Sequence, residues 1–378
     1  MENKTIGIVG GGQLGKMLTD SAHKLGFKVI ILDPTPNSPA GLVADTQIVG
    51  SFKDRDKILE LGEVSDYITF EIESANFEGL EELIKKGKIV HPNPQTLRII
   101  KDKFEQKVFL KNYNIPVADF ALINNIEDCK KQGEIFGYPF LLKARFDAYD
   151  GRGNFVIKNE QDISIAFEKL LKGSPLYGEK FVPFIKELAV VSARDTKENI
   201  ESYPVVETIH KNNICHIVRS PAPVSEEIKE KANTLANEVL SALSGVGVFA
   251  IEMFLTESGE VIVNEIAPRV HNSGHHTIEA FNISQFEQHI RAISGMQILK
   301  LEKIKKHAVM VNILGEREGK ADYKITTDGD DNSNSAHVHI YGKMDTKIER
   351  KMGHITVLGD NLEDTENKAI KTRSNISI

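Results

Sequence analysis

The apolar positions of the first hundred residues switch repeatedly between two periods. Thr5-Ile6-Gly7-Ile8-Val9-Gly10 is a short buried run, after which Leu14, Met17, Leu18, Ala22 and Leu25 recur at helical spacing and stop at Gly26. Further extended runs follow at Lys28–Asp33, Asp66–Glu71 and Lys88–Pro92. Strand and helix alternating in this way predict a small doubly wound α/β domain over 1–100. Beyond Pro94, Leu97, Ile100, Phe104, Val108 and Leu110 predict one helix from Thr96 to Tyr113, ended by Asn114-Ile115-Pro116. A strand at Asp119–Ile123, a helix near 126–136 and a strand ending in Lys143-Ala144-Arg145 come next. Residues 225–244 read as a helix opened by Pro223 and Ser225, with Ile228, Ala232, Leu235, Val239 and Leu243 as its apolar stripe. Gln285–Ile293 reads as another, with Phe286, His289, Ile290 and Ile293 inward. Short strands are expected at Ala308–Leu314, Ala336–Tyr341 and His354–Leu358, with a mobile polar loop at 327–335. That acidic loop lacks the flanking helices and terminal Glu of an EF-hand.

The densest chemistry lies in residues 248–276. Phe249–Leu255 and Val261–Ile266, joined around Glu257-Ser258-Gly259, predict a β-hairpin. If Phe254 pairs with Val263, alternation places Glu252 opposite Glu265 on one face. Carboxylates about 5 Å apart repel and destabilise such a pair. A hard divalent cation reverses the sign, since Mg²⁺ is held by one or two carboxylates together with substrate phosphates. Asn264 and Asn272 add neutral oxygens, and Arg269, His271 and His275 add donors for an anion. Either Glu alone is satisfied by facing solvent. The pair, followed by Pro268-Arg269-x-His271-Asn272-Ser273-Gly274-His275, favours the cation.

Other stretches carry weaker signals. Gly10-x-Gly12-x-x-Gly15, with Asp33 beyond it, matches the dinucleotide-binding fingerprint. The glycines would equally admit any phosphate at a helix N-terminus, or simply make a tight turn. Lys143 in an apolar strand is costly unless it meets an anion. Ala148–Asn154 is a turn whose backbone N–H groups and Arg152 suit a phosphate, although Asp-Gly also makes ordinary hairpins. Glu179 and Glu187 face either solvent or a ligand. Lys343, Arg350, Lys351 and His354 form a basic cluster fit for a phosphate.

Composition narrows the class. A chain of 378 residues is too long for one core, so two or three domains are expected. Its 40% hydrophobic and 27% charged content is that of a soluble globular protein. A net charge of −7, with Lys and Arg scattered, argues against a nucleic-acid surface. Two cysteines, Cys129 and Cys215, exclude a disulfide framework and a cysteine zinc site. MENKTIGIVGGG has no cleavable apolar segment, and no run reaches the length of a membrane span. A cytoplasmic protein is expected.

Across nearly its whole length the chain resembles the 5-(carboxyamino)imidazole ribonucleotide synthases, ATP-grasp enzymes of purine biosynthesis. The resemblance rests on GIVGGGQLGKML at the start, TFEIE at 69–73, AYDGRGN at 148–154, NEIAPRVHNSGHH at 264–276 and RKMGH at 350–354. It implies an α/β ATP-grasp fold with a doubly wound pre-ATP-grasp domain over 1–100, an ATP-grasp domain with a lid over 101–297, and a small β-rich domain over 298–378. It implies that ATP phosphorylates bicarbonate to carboxyphosphate, and that the amine of 5-aminoimidazole ribonucleotide takes up the carboxyl group. By motif, Lys103 and Lys143 would meet the ATP phosphates under a lid of Ala148, Tyr149, Asp150, Gly151, Arg152, Gly153 and Asn154. Glu179, Lys180, Phe181, Val182 and Glu187 would border adenine and ribose, with His210 and Asn264 near the nucleotide. Glu252 and Glu265 would hold Mg²⁺ or Mn²⁺. Asp150, Arg152, Arg269 and His271 would be catalytic. Gln13, Glu73, Asn272, Ser273, Lys343 and Arg350 would serve the ribonucleotide. A homodimer, and a separate mutase to receive the product, are also implied. Ala148 stands where many members have Gly, and Lys103 where some have Arg. Another ATP-grasp ligase with a different acceptor, an NAD(P) dehydrogenase read through Gly10–Gly15, and a non-catalytic relative are the competing readings.

Overall fold

The computed structural model describes residues 4–146, 153–170, 174–325 and 336–378. The expected loop at 327–335 and most of the expected lid, Ala148 to Arg152, lie outside them. The N-terminal strands form a five-stranded parallel sheet in the order Thr46–Val49, Lys28–Asp33, Thr5–Val9, Tyr67–Phe70, Ile89–Val90. Alternation along Thr5–Val9 explains the two coats. Ile6 and Ile8 pack with Leu14, Met17 and Leu18 of helix Gln13–Lys24, while Val9 packs with Ile58, Leu61, Leu80 and Leu83 of helices Arg55–Glu63 and Phe77–Lys85. The doubly wound expectation holds.

The single helix expected from Thr96 to Tyr113 is two, Pro94–Lys101 and Lys103–Asn112. Asp102 breaks it. Its extended backbone (φ −92°, ψ 105°) lets the carboxylate accept from the N–H groups of Phe104 and Glu105, and Arg145 Nε donates to it at 2.9 Å. The apolar repeat runs on through the break, so periodicity alone does not reveal it.

A nine-stranded sheet carries the rest of the architecture. Its main path runs Val261–Ala267, Gly247–Thr256, Phe184–Arg194, Val206–Lys211, Ile214–Ser220, His307–Leu314, Lys351–Gly359, Ala336–Ile340. Strands before and after residue 298 thus share one sheet. Helix Glu226–Leu243, capped by Ser225 as expected, lays Ile228, Ala232, Ala236, Val239, Leu240 and Leu243 against Leu188, Val190, Ile251, Met253 and Leu255. Each such large side chain taken fully from water contributes about 1.5–3 kcal/mol. That helix covers one face of the sheet, and the residues alternating with these strand positions are left for the other. On that second face Val191, Ala193, Val248 and Ala250 pack with Phe286 and Ile290 of helix Gln285–Ile293, and Phe120–Ile123, Leu176–Lys180, Phe140–Ala144 and Asn154–Ile157 form a separate four-stranded sheet. Helix Leu362–Ser374 has no counterpart in the sequence reading. No helix among the described residues is long and apolar enough to cross a membrane.

His289 latches the N-terminal sheet to the nine-stranded one. The N–H of Val248 donates to Nδ1 at 3.0 Å, which leaves the Nε2 proton for Thr69 Oγ1 at 2.8 Å. Complete burial, with a lesser push from His91, lowers its pKa to about 3. The neutral ring therefore stabilises the fold fully above the unfolded pKa of about 6.5, and that contribution is lost as pH falls toward 3. We expect the melting temperature to drop more steeply between pH 7 and 5 in the wild type than in His289→Gln. Parallel curves in a pH series of thermal melts would show that His289 is not a latch.

Candidate active site

The hairpin Gly247–Thr256/Val261–Ala267 sets Glu252 directly opposite Glu265. The register that does so differs from the one expected. Phe254 pairs with Ile262 and Met253 with Val263, so the ladder shifts by one residue between Glu252 and Met253. Asn264 is the extra residue of this bulge. A bulge re-aims side chains locally, and here it makes the carboxylate pairing, since the Phe254–Ile262 register continued without it would set Glu252 opposite Asn264.

Across the neighbouring strands Ala189 lies opposite Glu252, and Glu187 opposite Phe254. Glu187, Glu252, Phe254 and Glu265 therefore share the face turned away from helix Glu226–Leu243. His210 Nδ1 sits 3.2 Å from Glu187 Oε1. The ring of Phe254 stacks on Phe184 at 4.5 Å between centroids. Lys103, at the start of its helix, donates to Glu265 Oε1.

Charge is unevenly shared by the two carboxyls. Burial first, then the negative charge of Glu265, pushes Glu252 up to about 7. Glu265 is held below its ordinary range: burial opposes its charge, and the attraction of Lys103, reinforced by Lys143 and Arg269, outweighs burial. Two opposed carboxylates beside the bulged Asn264 are an oxygen donor set suited to a hard divalent cation. No group of three or more His, Cys, Asp or Glu among the described residues has metal-binding geometry. The remaining ligands would come from a phosphate-bearing substrate and water, as is usual for Mg²⁺.

Within reach of the Glu265 charge, Lys143 and Glu179 are diagonal neighbours in the four-stranded sheet, and Lys143 Nζ donates to Glu179 Oε1 at 3.0 Å. Glu179 Oε2 lies 3.0 Å from the ammonium of Lys107, a residue the sequence reading passed over. Asn154 pairs with Lys143 on the adjoining strand, next to Gly153 (φ +91°). Lys180 is exposed and pairs with Asp119 at 3.4 Å, while Phe181 and Val182 follow at the rim, with Phe181 exposed.

On the other side of the hairpin, Arg269 donates to Glu73 Oε1 at 3.0 Å and to the carbonyl of Val270 at 3.2 Å. Its Nε is buried without an acceptor, an unmet donor in a structure where buried polar groups are ordinarily paired. His271 Nδ1 accepts from the N–H of Ser273, so its Nε2 carries the proton toward Glu252 Oε1, 3.5 Å away. Burial and Arg269 hold this ring far below its ordinary pKa, hence neutral. Ser273 Oγ lies 2.9 Å from His271 Nδ1, and Asn272 exchanges amide hydrogen bonds with Asn312 at 2.7 and 2.9 Å. Both side chains thus support the loop. Lys343 Nζ donates to the carbonyl of Lys351 at 2.7 Å, and Arg350 to that of Asp345 at 2.7 Å. Gln13 opens its helix, three residues before Lys16, whose ammonium donates to the carbonyl of Ile340.

The glycine loop does not hold a dinucleotide. Both oxygens of the buried Glu71 occupy its anion site: Oε1 accepts from Gly12 N–H and Oε2 from Gly15 N–H at 2.6 Å. Asp33, the acid of that fingerprint, accepts from Gly11 N–H at 2.8 Å. A Cβ on Gly12 would stand 2.8 Å from Glu71 Oε1, so a side chain here would displace the carboxylate from the loop. This overturns the dehydrogenase reading. TFEIE contained the signal, an acid at the end of the strand beside the loop.

Comparison with known proteins agrees with this geometry. Residues 3–101 match the ribonucleotide synthetase preATP-grasp domain, 108–286 the ATP-grasp domain, and 308–368 the phosphoribosylaminoimidazole carboxylase C-terminal domain. The chain is 42% identical to the phosphoribosylaminoimidazole carboxylase of Candida albicans over 97% of its own length, and spans 66% of that longer protein. It is 38% identical to the N5-carboxyaminoimidazole ribonucleotide synthase of Staphylococcus haemolyticus, covering 97% of this chain and 96% of the relative. Among solved structures, the N5-carboxyaminoimidazole ribonucleotide synthetase of Thermotoga maritima is 46% identical, with a TM-score of 0.89 and 99% of each chain covered. That of Aspergillus clavatus, solved with ADP and 5-aminoimidazole ribonucleotide, is 38% identical, with a TM-score of 0.88 and 99% of each chain covered.

Proposed function

The chain belongs to the N5-carboxyaminoimidazole ribonucleotide synthase family of ATP-grasp proteins, and we propose that it is an ATP-dependent carbon–nitrogen ligase of purine biosynthesis. In this reading a bicarbonate oxygen attacks the γ-phosphorus of ATP, giving carboxyphosphate and ADP. The exocyclic amine of 5-aminoimidazole ribonucleotide then attacks the carboxyl carbon, phosphate leaves, and the carbamate remains. The observation that carries it is the opposed Glu252–Glu265 pair, with Lys103 bonded to Glu265, His271 beside Glu252, and Lys143 and Arg269 near enough to favour the charge on Glu265.

Phosphoryl transfer is mostly positioning and charge neutralisation. Glu252 and Glu265 would hold Mg²⁺ or Mn²⁺, which neutralises phosphate charge. Lys103 and Lys143 would bind the phosphates, and Glu179 to Val182 with Glu187 and His210 would line adenine and ribose. The buried, unmet Nε of Arg269 suits bicarbonate or carboxyphosphate, with neutral His271 donating from Nε2. Lys343 and Arg350 would bind the ribonucleotide phosphate, with Glu73 and Gln13 near its other end. Residues 148–154 would exclude water, protecting carboxyphosphate. We also read the chain as three domains divided at 100 and 297, a homodimer, and a cytoplasmic enzyme whose product passes to a separate mutase. Its two free thiols suit that compartment.

The test is isotopic. With ¹⁸O-bicarbonate, the bridging oxygen of carboxyphosphate leaves on phosphorus, so one ¹⁸O is expected in each inorganic phosphate released. Unlabelled phosphate would contradict the carboxyphosphate route.

A further inference from the structure

We propose that Lys107 is a positioning residue of the nucleotide site, which keeps Glu179 fixed and charged when Lys143 leaves that carboxylate for the phosphates. The inference rests on the reading above. Lys107 lies one helical turn after Lys103, and its side chain is 2% exposed. Its ammonium is held between Glu179 Oε2 at 3.0 Å and the carbonyl of Val263 at 3.4 Å, the residue just before the bulged Asn264. Fixed from two strands, it is not free to follow a substrate. Lys143, 15% exposed, takes the other oxygen of the same carboxylate.

Two lysines on one buried carboxylate make a shared pair with a spare positive charge. If Lys143 were the only partner, its departure would leave Glu179 buried and unpaired, a state that low dielectric penalises severely. Glu179 would then either retain Lys143 or take up a proton. Lys107 removes that choice. The charged groups facing Glu179 are Lys107 from the helix and Lys143 from the adjacent strand, with the Tyr177 hydroxyl near it on its own strand. Burial opposes the charge on Glu179, yet Lys107 and then Lys143 hold its pKa down at about 2.

The experiment is calorimetric titration of the intact chain with MgADP at pH 6, 7 and 8. The variant-to-wild-type ratio of Kd at each pH cancels titration of the nucleotide itself. For Lys107→Met the ratio is expected to be about tenfold or more at pH 8 and to shrink toward pH 6, because lone Glu179 must bind a proton as Lys143 leaves. In a Glu179→Gln background, where there is no carboxylate to hold, adding Lys107→Met is expected to change Kd by less than about twofold. A ratio independent of pH, or an equal loss in both backgrounds, would overturn the proposal and leave Lys107 a packing residue. If Lys107→Met alone does not fold, the comparison within the Glu179→Gln background decides. Wild-type protein that binds no MgADP would contradict the proposed function itself, and this inference with it.

Discussion

Glu265→Gln is expected to lower ribonucleotide-dependent ADP release by about 10³-fold, equivalent to about 4 kcal/mol of transition-state stabilisation. The amide keeps the shape and removes one of two anionic oxygen donors, so no cavity forms. Folding should be nearly unaffected, because two opposing changes accompany the substitution. Lys103 loses its hydrogen-bonded partner, and Glu252 loses the like charge that, after burial, raises its pKa. Thermal melts and steady-state rates measured together check this. A folded variant with unchanged Mg²⁺-dependent turnover would remove the hairpin pair from the metal site.

Glu71→Ala is expected to lower stability by about 2–4 kcal/mol, because two buried N–H donors lose a carboxylate acceptor. The vacated helix N-terminus should then act as the anion site that its glycines resemble. Millimolar inorganic phosphate is expected to recover part of the lost melting temperature, relative to chloride at matched ionic strength, and to do less for the wild type. An unchanged melting temperature in Glu71→Ala would mean that Glu71 does not fill the loop.

Much of this architecture was legible in the residues. Ser225 and the stripe from Ile228 to Leu243 gave a helix whose cap and buried face coincide with those observed, because cap and periodicity are both local. The Glu252–Glu265 opposition was also legible, although through a register that the bulge at Asn264 corrects. A bulge depends on what lies outside the hairpin: Val263 bonds to the carbonyl of Pro116 and receives Lys107 on its own carbonyl. Period-two alternation carries no record of such partners. The break at Asp102 was readable, since Asp102-x-x-Glu105 is a capping pattern, but an uninterrupted apolar repeat concealed it. Lys107 was not legible because it falls between the apolar positions of that repeat, and its partner Glu179 lies on a distant strand. Glu71 went unassigned because its partners, Gly12 and Gly15, lie more than fifty residues away.

The most direct test of the central claim is ADP release with ATP, Mg²⁺ and bicarbonate, with and without 5-aminoimidazole ribonucleotide. The account predicts release strongly stimulated by the ribonucleotide and matched one-for-one by phosphate. ATP binding with no stimulation would contradict it and assign the chain a different acceptor.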